Sequence, residues 1–341
     1  MNSPKPQKTT TKTTSSPHPS KDPFAPLKPD CSEQDYRKHP ALGSTDIKSM
    51  IQNAKKFYMV KTGQLKKSSP ALRFGQAFHV ALLEPEKFDD AVWVTDINVE
   101  RLMPVVERDN YLVSEMKTKT AKKFIELQEQ NPDKDIVTLT DGDMIGYIKQ
   151  NLGKTVISKA DAQLVQELCE KVKAMPNMSK YLEGGKKEQA YFGMIDGVHV
   201  KCRLDLIYPI DKDGKNVIII DPKSTAKENI SEEFAKSSGN NCYFIQEALY
   251  REILKQNGFN VVDYLFIQVS REEYCGASYY KHEHTALEFG MDEIKYALNK
   301  FKYCKENNTW REDQFDPINQ TFEDVNIISL PNYVYYRGAN R

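Results

Sequence analysis

The run Val217-Ile218-Ile219-Ile220-Asp221-Pro222-Lys223 constrains the fold of this chain more than any other stretch. Four consecutive β-branched residues read as a buried strand. Ionised groups are not buried without partners, so the two charges at its end need a reason. Residues two apart on a strand share a face, so Asp221 and Lys223 project together and Pro222 turns away. One connection earlier, Arg203-Leu204-Asp205-Leu206-Ile207 puts Asp205 at the end of a second strand-like run. Two carboxylates and a lysine converging at strand ends can hold a divalent cation and a water beside it.

The flanking chain sets the context. Residues 1–30 contain seven of the seventeen prolines and five lysines against two aspartates. This segment cannot bury a core, and residues 1–35 are expected to be a disordered arm. One domain is expected over 36–341, with a helical part over 36–185, a sheet and helices over 186–310, and a tail over 311–341. Ser44 or Thr45 is expected to cap a helix from Asp46 to about Val60. Ser69-Pro70 opens a helix over Ala71–Glu84 that Pro85 ends. On it Gly75 and His79 lie one turn apart, on one face. Residues 90–185 read as mostly helical, with a short strand at Trp93-Val94, a lysine cluster at 117–123, a cap at Thr140-Asp141 and an amphipathic helix over Asp161–Ala174.

From Glu188 the period changes to two. Asp196-Gly197 joins two strands in a hairpin. On the second strand Val200, Cys202, Leu204 and Leu206 share one face, and Lys201, Arg203 and Asp205 form a charged stripe on the other. A helix follows from about Cys242 to Gln256, stopped by Gly258, with Gln246 and Tyr250 one turn apart. Val261–Val269 and Ala277–His282 read as strands, and Thr285–Asn307 as a last long helix. Helices, a β meander, a helix, a strand and a helix point to an α/β or α+β fold, a central mixed sheet flanked by helices.

Composition excludes some classes. The formal net charge is zero, so any DNA-binding surface must come from segregated charge. The longest aliphatic run, Val217–Ile220, is far too short to span a membrane, and the N-terminus has no apolar signal region. Six scattered cysteines form no C-x-x-C pair, which fits reduced thiols in a cytoplasmic protein and argues against an iron–sulfur cluster.

Taken together and in order, these residues resemble the PD-(D/E)XK nuclease superfamily, and within it the phage-type recombination exonucleases of the exodeoxyribonuclease VIII family. The resemblance is carried by Gly75-x-x-x-His79-x-x-x-Leu83-Glu84-Pro85-x-x-Phe88, Glu188, Arg203-x-Asp205, Asp221-Pro222-Lys223 and Gln246-x-x-x-Tyr250. It covers roughly Tyr36 to Tyr336 and implies a restriction-endonuclease-like core. Asp205 and Asp221 match the acidic metal ligands and Lys223 the lysine. Leu204 stands where the family has a proline, which leaves the carboxylate in place. Pro222 keeps the backbone carbonyl the family often uses on the metal. His79 matches a metal or outer-shell contact and Glu188 a ligand of a second ion. Gln246 and Tyr250 match a helix that lines the site and contacts DNA. Arg203, Lys201 and Arg73 are candidate phosphate contacts, with a surface role equally open for each.

The cofactor implied is Mg²⁺ or Mn²⁺. The activity implied is digestion of double-stranded DNA ends, 5′ to 3′, leaving a 3′ strand for a single-strand annealing protein. A ring-shaped homo-oligomer is implied as well. The alternatives are an endonuclease, a 3′ exonuclease, or a non-catalytic DNA-binding or assembly module on the same fold.

Overall fold

The computed structural model describes residues 22–65, 68–95, 150–151, 153–274 and 276–323. The expected lysine cluster at 117–123, the Thr140-Asp141 cap and the tail tyrosines 333, 335 and 336 lie outside the described residues.

In chain order the helices are α1 Glu33–Lys38, α2 Ser44–Gln52, α3 Ala54–Lys61, α4 Pro70–Leu83, the short α5 Phe88–Ala91, α6 Lys159–Lys173, α7 Met178–Gly184, α8 Ser231–Asn241, α9 Tyr243–Gln256 and α10 His284–Glu306. Strands β1 Val92–Val94 and β2 Thr155–Ile157 pair in parallel. The main sheet comprises β3 Lys186–Ile195, β4 Val198–Pro209, β5 Asn216–Thr225, β6 Asn260–Ser270 and β7 Ala277–Tyr280, in that spatial order. β5 and β6 are parallel and the other pairs antiparallel, so the sheet is mixed. Two short strands, β8 Phe315-Asp316 and β9 Thr321-Phe322, close the described chain.

Each face of the sheet buries its own core. Leu204, Ile219, Tyr264 and Phe266 pack with residues of α2, α9 and α10. Leu206, Ile220, Ile267 and Val269 pack with residues of α4 and α6. β5 therefore reads as a continuous apolar run because both of its faces are covered. On one side α9 and α10 approach closely at Gly290, where a Cβ would lie 2.8 Å from the Phe244 carbonyl oxygen.

Several sequence expectations are corrected. The helix expected from Asp46 to Val60 is two helices, broken at Asn53, whose extended backbone lets its side chain accept from the Lys56 N–H at 2.7 Å and start α3. Gly43, not Ser44 or Thr45, is the N-cap of α2, and Asp46 accepts from the Gly43 N–H. Helix α8 is an addition, since the sequence pattern places no helix between the β5 run and Cys242. Residues 22–35, placed in the disordered arm, lie on the sheet: Pro29 accepts from the Ala190 N–H at 2.8 Å, and Phe24 stacks on His199. Covering an open strand edge in this way satisfies its unpaired backbone groups.

The alternation of β4 also departs from a single phase. Val200, Cys202 and Leu204 face one core, but Leu206 joins the other. The change falls at Asp205. Opposite it Glu188 has a left-handed backbone, φ 53°, between residues paired with Leu206 and Leu204.

A buried polar chain ties α8, α9 and the end of β7 together. Ser238 Oγ lies 2.6 Å from His282 Nε2, and His282 Nδ1 lies 2.8 Å from Glu247 Oε2. Arg251 donates to the other Glu247 oxygen at 2.8 Å. Removing one member strands a buried carboxylate. His282→Ala is expected to cost about 2 kcal/mol or more, read as a lower urea midpoint with unchanged m-value. An unchanged midpoint would show that the chain contributes nothing to stability.

Candidate active site

The pairing of β4 with β5 runs from Pro209↔Val217 to Leu206↔Ile220 and then stops. The next residue on each strand is an aspartate. Asp205 and Asp221 therefore stand in the fork where the two strands part. Their carboxylates come within hydrogen-bonding reach of each other.

The fork also explains Pro222. Proline has no N–H for a ladder, so a central strand normally rejects it. Here the β4 ladder has already ended, and β5 continues alongside β6 alone, with Pro222 opposite Ile267. Pro222 keeps the alternation of β5 intact, so Asp221 and Lys223 share a face. Lys223 Nζ forms an ion pair with Asp221 Oδ1.

Both helical layers reach the fork. From one side α4 brings His79, whose Nδ1 lies 3.4 Å from Asp205 Oδ2. From the other, α9 brings Gln246, whose Nε2 donates to Asp221 Oδ2 at 2.6 Å. Tyr264, from β6, donates its hydroxyl to the same oxygen at 2.7 Å. Tyr264 was not singled out from sequence. The available signal was a hydroxyl two residues from Phe266 on the buried phase of an apolar strand.

Asp205 Oδ2 and Asp221 Oδ1 are buried and accept no well-directed hydrogen bond, although the first faces the His79 ring and the second the Lys223 ammonium group. Burial pushes the Asp205 carboxyl up, but His79 and Lys223 outweigh it and hold the group below the usual range. At Asp221 burial prevails over Lys223, and the charge of Asp205 adds to it, so this carboxyl is raised. Burial alone would lower Lys223, yet Asp221 and Asp205 raise it and keep it cationic. Burial would also lower His79, but Asp205 raises it.

Among the described residues no three His, Cys, Asp or Glu side chains gather as a ready-made metal cluster. Two buried carboxylates with an unsatisfied oxygen each still fit Mg²⁺ or Mn²⁺, which is commonly held by one or two carboxylates with the remaining positions filled by water and substrate oxygens.

The other expected site residues divide. Glu188 stands opposite Asp205 but its carboxylate accepts from Arg203 Nε at 2.5 Å; burial and Asp205 raise it. Arg203 is held by this pair, with Nη1 3.5 Å from the Cys31 carbonyl oxygen, and Glu188, expected to bind a second ion, is engaged by Arg203 instead. Lys201 is corrected outright: it is 4% exposed and donates to the Tyr36 and His39 carbonyls at 2.6 and 2.7 Å. Tyr250, expected to contact DNA, is 7% exposed, with Ser44 of α2 beside its hydroxyl, so it packs α9 against α2. Arg73 sits in the first turn of α4, where its Nη1 donates to Ser68 Oγ at 3.2 Å.

Comparison with known proteins adds the following. The family model DUF3799, a PDDEXK-like domain of unknown function, matches residues 43–314. No curated protein matches the sequence. The crystal structure of a "Putative exonuclease" from Eubacterium rectale is 14% identical, with a TM-score of 0.54 over 88% of this chain and 96% of that one. At that identity the likeness shows the fold alone. The crystal structure of SSO0001, 11% identical over 74% of this chain and 84% of that one, has a TM-score of 0.23 and carries no argument. Among the described residues no helix is long and apolar enough to cross a membrane, and none of the five described cysteines is in a disulfide.

A bound cation would relieve the repulsion between the two aspartates, so millimolar Mn²⁺ is expected to raise the melting temperature. A ligand at a hundred times its Kd stabilises by about 2.7 kcal/mol. Because Asp221 is raised in the folded state, protons compete for the site, and the metal-dependent increment should shrink as the pH falls toward that folded pKa. An equal increment in Asp221→Asn would show that the cation binds elsewhere.

Proposed function

The chain belongs to this family of PDDEXK-like domains, and from that premise we propose that it is a Mg²⁺- or Mn²⁺-dependent nuclease acting on DNA, with Asp205, Asp221 and Lys223 as its catalytic residues. The observation that carries this reading is the strand fork itself. It places two buried, incompletely satisfied carboxylates and a lysine within contact of one another, where an ordinary structural ion pair would need only one carboxylate.

Asp205, Asp221 and the Pro222 carbonyl would hold the ion, which would polarise a phosphodiester and lower the pKa of a water. The protein's own groups do the rest. The two aspartates raise the pKa of Lys223, which favours its cationic form and suits it to stabilising negative charge that grows on the phosphate oxygens. His79 Nδ1 braces Asp205 from the α4 side, and Asp205 in turn raises the His79 pKa. Gln246 and Tyr264 fix Asp221 by two donated hydrogen bonds, leaving its other oxygen toward Lys223.

The finer reading rests on the motif resemblance. It is an exonuclease on linear duplex ends, working 5′ to 3′ and leaving a 3′ overhang for a single-strand annealing protein in homologous recombination. A ring-shaped homo-oligomer would hold the product strand near the site.

Digestion of a linear duplex labelled separately at each 5′ and 3′ end, beside a circular control, tests both levels. Early loss of the 5′ label with the circle intact is expected. Early 3′ loss, or cutting of the circle, would replace the direction or the exonuclease reading. Asp221→Ala should lower the rate at least about a hundredfold, on the scale of losing one transition-state-stabilising group. A folded Asp221→Ala variant that digests DNA at the wild-type rate would refute the site.

A further inference from the structure

Lysine 48 is the positive charge near the carboxylates that the proposed mechanism leaves unused. It lies on α2, a helix seated by its buried neighbours Ile47 and Met50 and by the packing of Ser44 beside Tyr250 of α9. Its Nζ sits 5.6 Å from the centre of the Tyr243 ring. Lys223 Nζ sits 5.2 Å from the centre of the same ring. Two ammonium groups therefore share one aromatic ring at the edge of the strand fork.

Lys223 has a partner in Asp221. Among the described residues Lys48 has neither a hydrogen bond nor an ion pair, and its ammonium group lies over the ring. A ring face is worth about 0.5–2 kcal/mol to a cation, and two like charges brought together oppose it. The surroundings add to the positive field. Helix α9 starts at Tyr243 with no side-chain cap and no acidic residue in its first turn. Its leading N–H groups are left without intrahelical partners, as at any helix start. A partly buried cation with no ion pair among the described residues, beside a second cation and an uncapped helix start, is arranged to receive an anion from outside.

We propose that Lys48 is a substrate-binding residue that holds a backbone phosphate of the DNA strand on the Tyr243 side of Asp221. The inference rests on the nuclease reading for the identity of the strand. It assigns Lys48 a role that Lys201, expected to make such a contact, cannot fill because the carbonyls of Tyr36 and His39 engage it. The contact is with phosphate, so it should be indifferent to base sequence.

The test compares wild type, Lys48→Met and Lys48→Arg, each checked for folding by circular dichroism. Binding of a fluorescent duplex is followed by anisotropy in chelator, where cleavage is off, across a range of KCl concentrations. Loss of one phosphate contact should lower the slope of log affinity against log salt by about 0.9. Affinity should fall about tenfold at low salt, equally for unrelated duplex sequences, and Lys48→Arg should restore most of it. In digestion with Mg²⁺, Lys48→Met should raise KM more than it lowers kcat.

Equal slope and affinity in Lys48→Met, or no duplex binding by wild type, would overturn the proposal. If binding depends on Lys48 but wild type digests nothing with Mg²⁺ or Mn²⁺, the phosphate contact stands and the nuclease reading falls. If digestion is normal and the slope unchanged, the reverse holds.

Discussion

The rest of the site depends on two carboxylates being forced together where β4 and β5 separate. Asp205 and Asp221 would be the next pair in an antiparallel ladder that stops one step short of them. Directly opposed residues of like charge repel on a sheet surface, and more so when buried. The surrounding positive groups balance that repulsion: Lys223 on the same strand and His79 across the fork. The balance is uneven, with Asp205 held below and Asp221 above the ordinary carboxylate range. Such opposed shifts in two neighbouring groups are typical of a functional site, where stability is given up locally for chemistry.

The two helical layers are what make the fork rigid. α4 comes from one face of the sheet and α9 from the other, and each is anchored in its own core. The close approach of α9 and α10 at Gly290 and the Ser238–His282–Glu247–Arg251 chain hold α9 from behind. Gln246 is the neighbour of Glu247 on that helix. The polar chain thus fixes the helix from which Gln246 reaches Asp221, although none of its members touches the carboxylates. Tyr250, one turn further, is buried against α2 and couples the Lys48 helix to the same scaffold.

Much of this was legible from local pattern. The β5 run, the Asp196-Gly197 hairpin with positive φ at both residues, the Ser69 cap of α4 and the Gly258 stop of α9 follow from rules acting over a few residues. The charged stripe on β4 was also visible, but what covers it was not. Residues 22–39 return over β3 and β4 and place carbonyl oxygens on Lys201 and Arg203. No local signal marks that return, because a proline-rich stretch can be ordered by long-range contacts its composition does not announce. The phase change at Asp205 was hidden for a related reason: it arises from the backbone of Glu188 on the neighbouring strand.

By itself the sequence determined the element types, the two-sided burial of β5 and the common face of Asp221 and Lys223, because period and turn chemistry are local. It also supplied the ordered set of motifs by which the family is identified. Only the tertiary structure decided which charges are available. Lys201 is buried against carbonyl oxygens, Arg203 pairs with Glu188, Tyr250 is buried, Tyr264 joins the site, and Lys48 meets Lys223 across one ring. Those outcomes depend on which elements come to lie side by side, and a side chain's partners are set by that packing rather than by its neighbours in the chain.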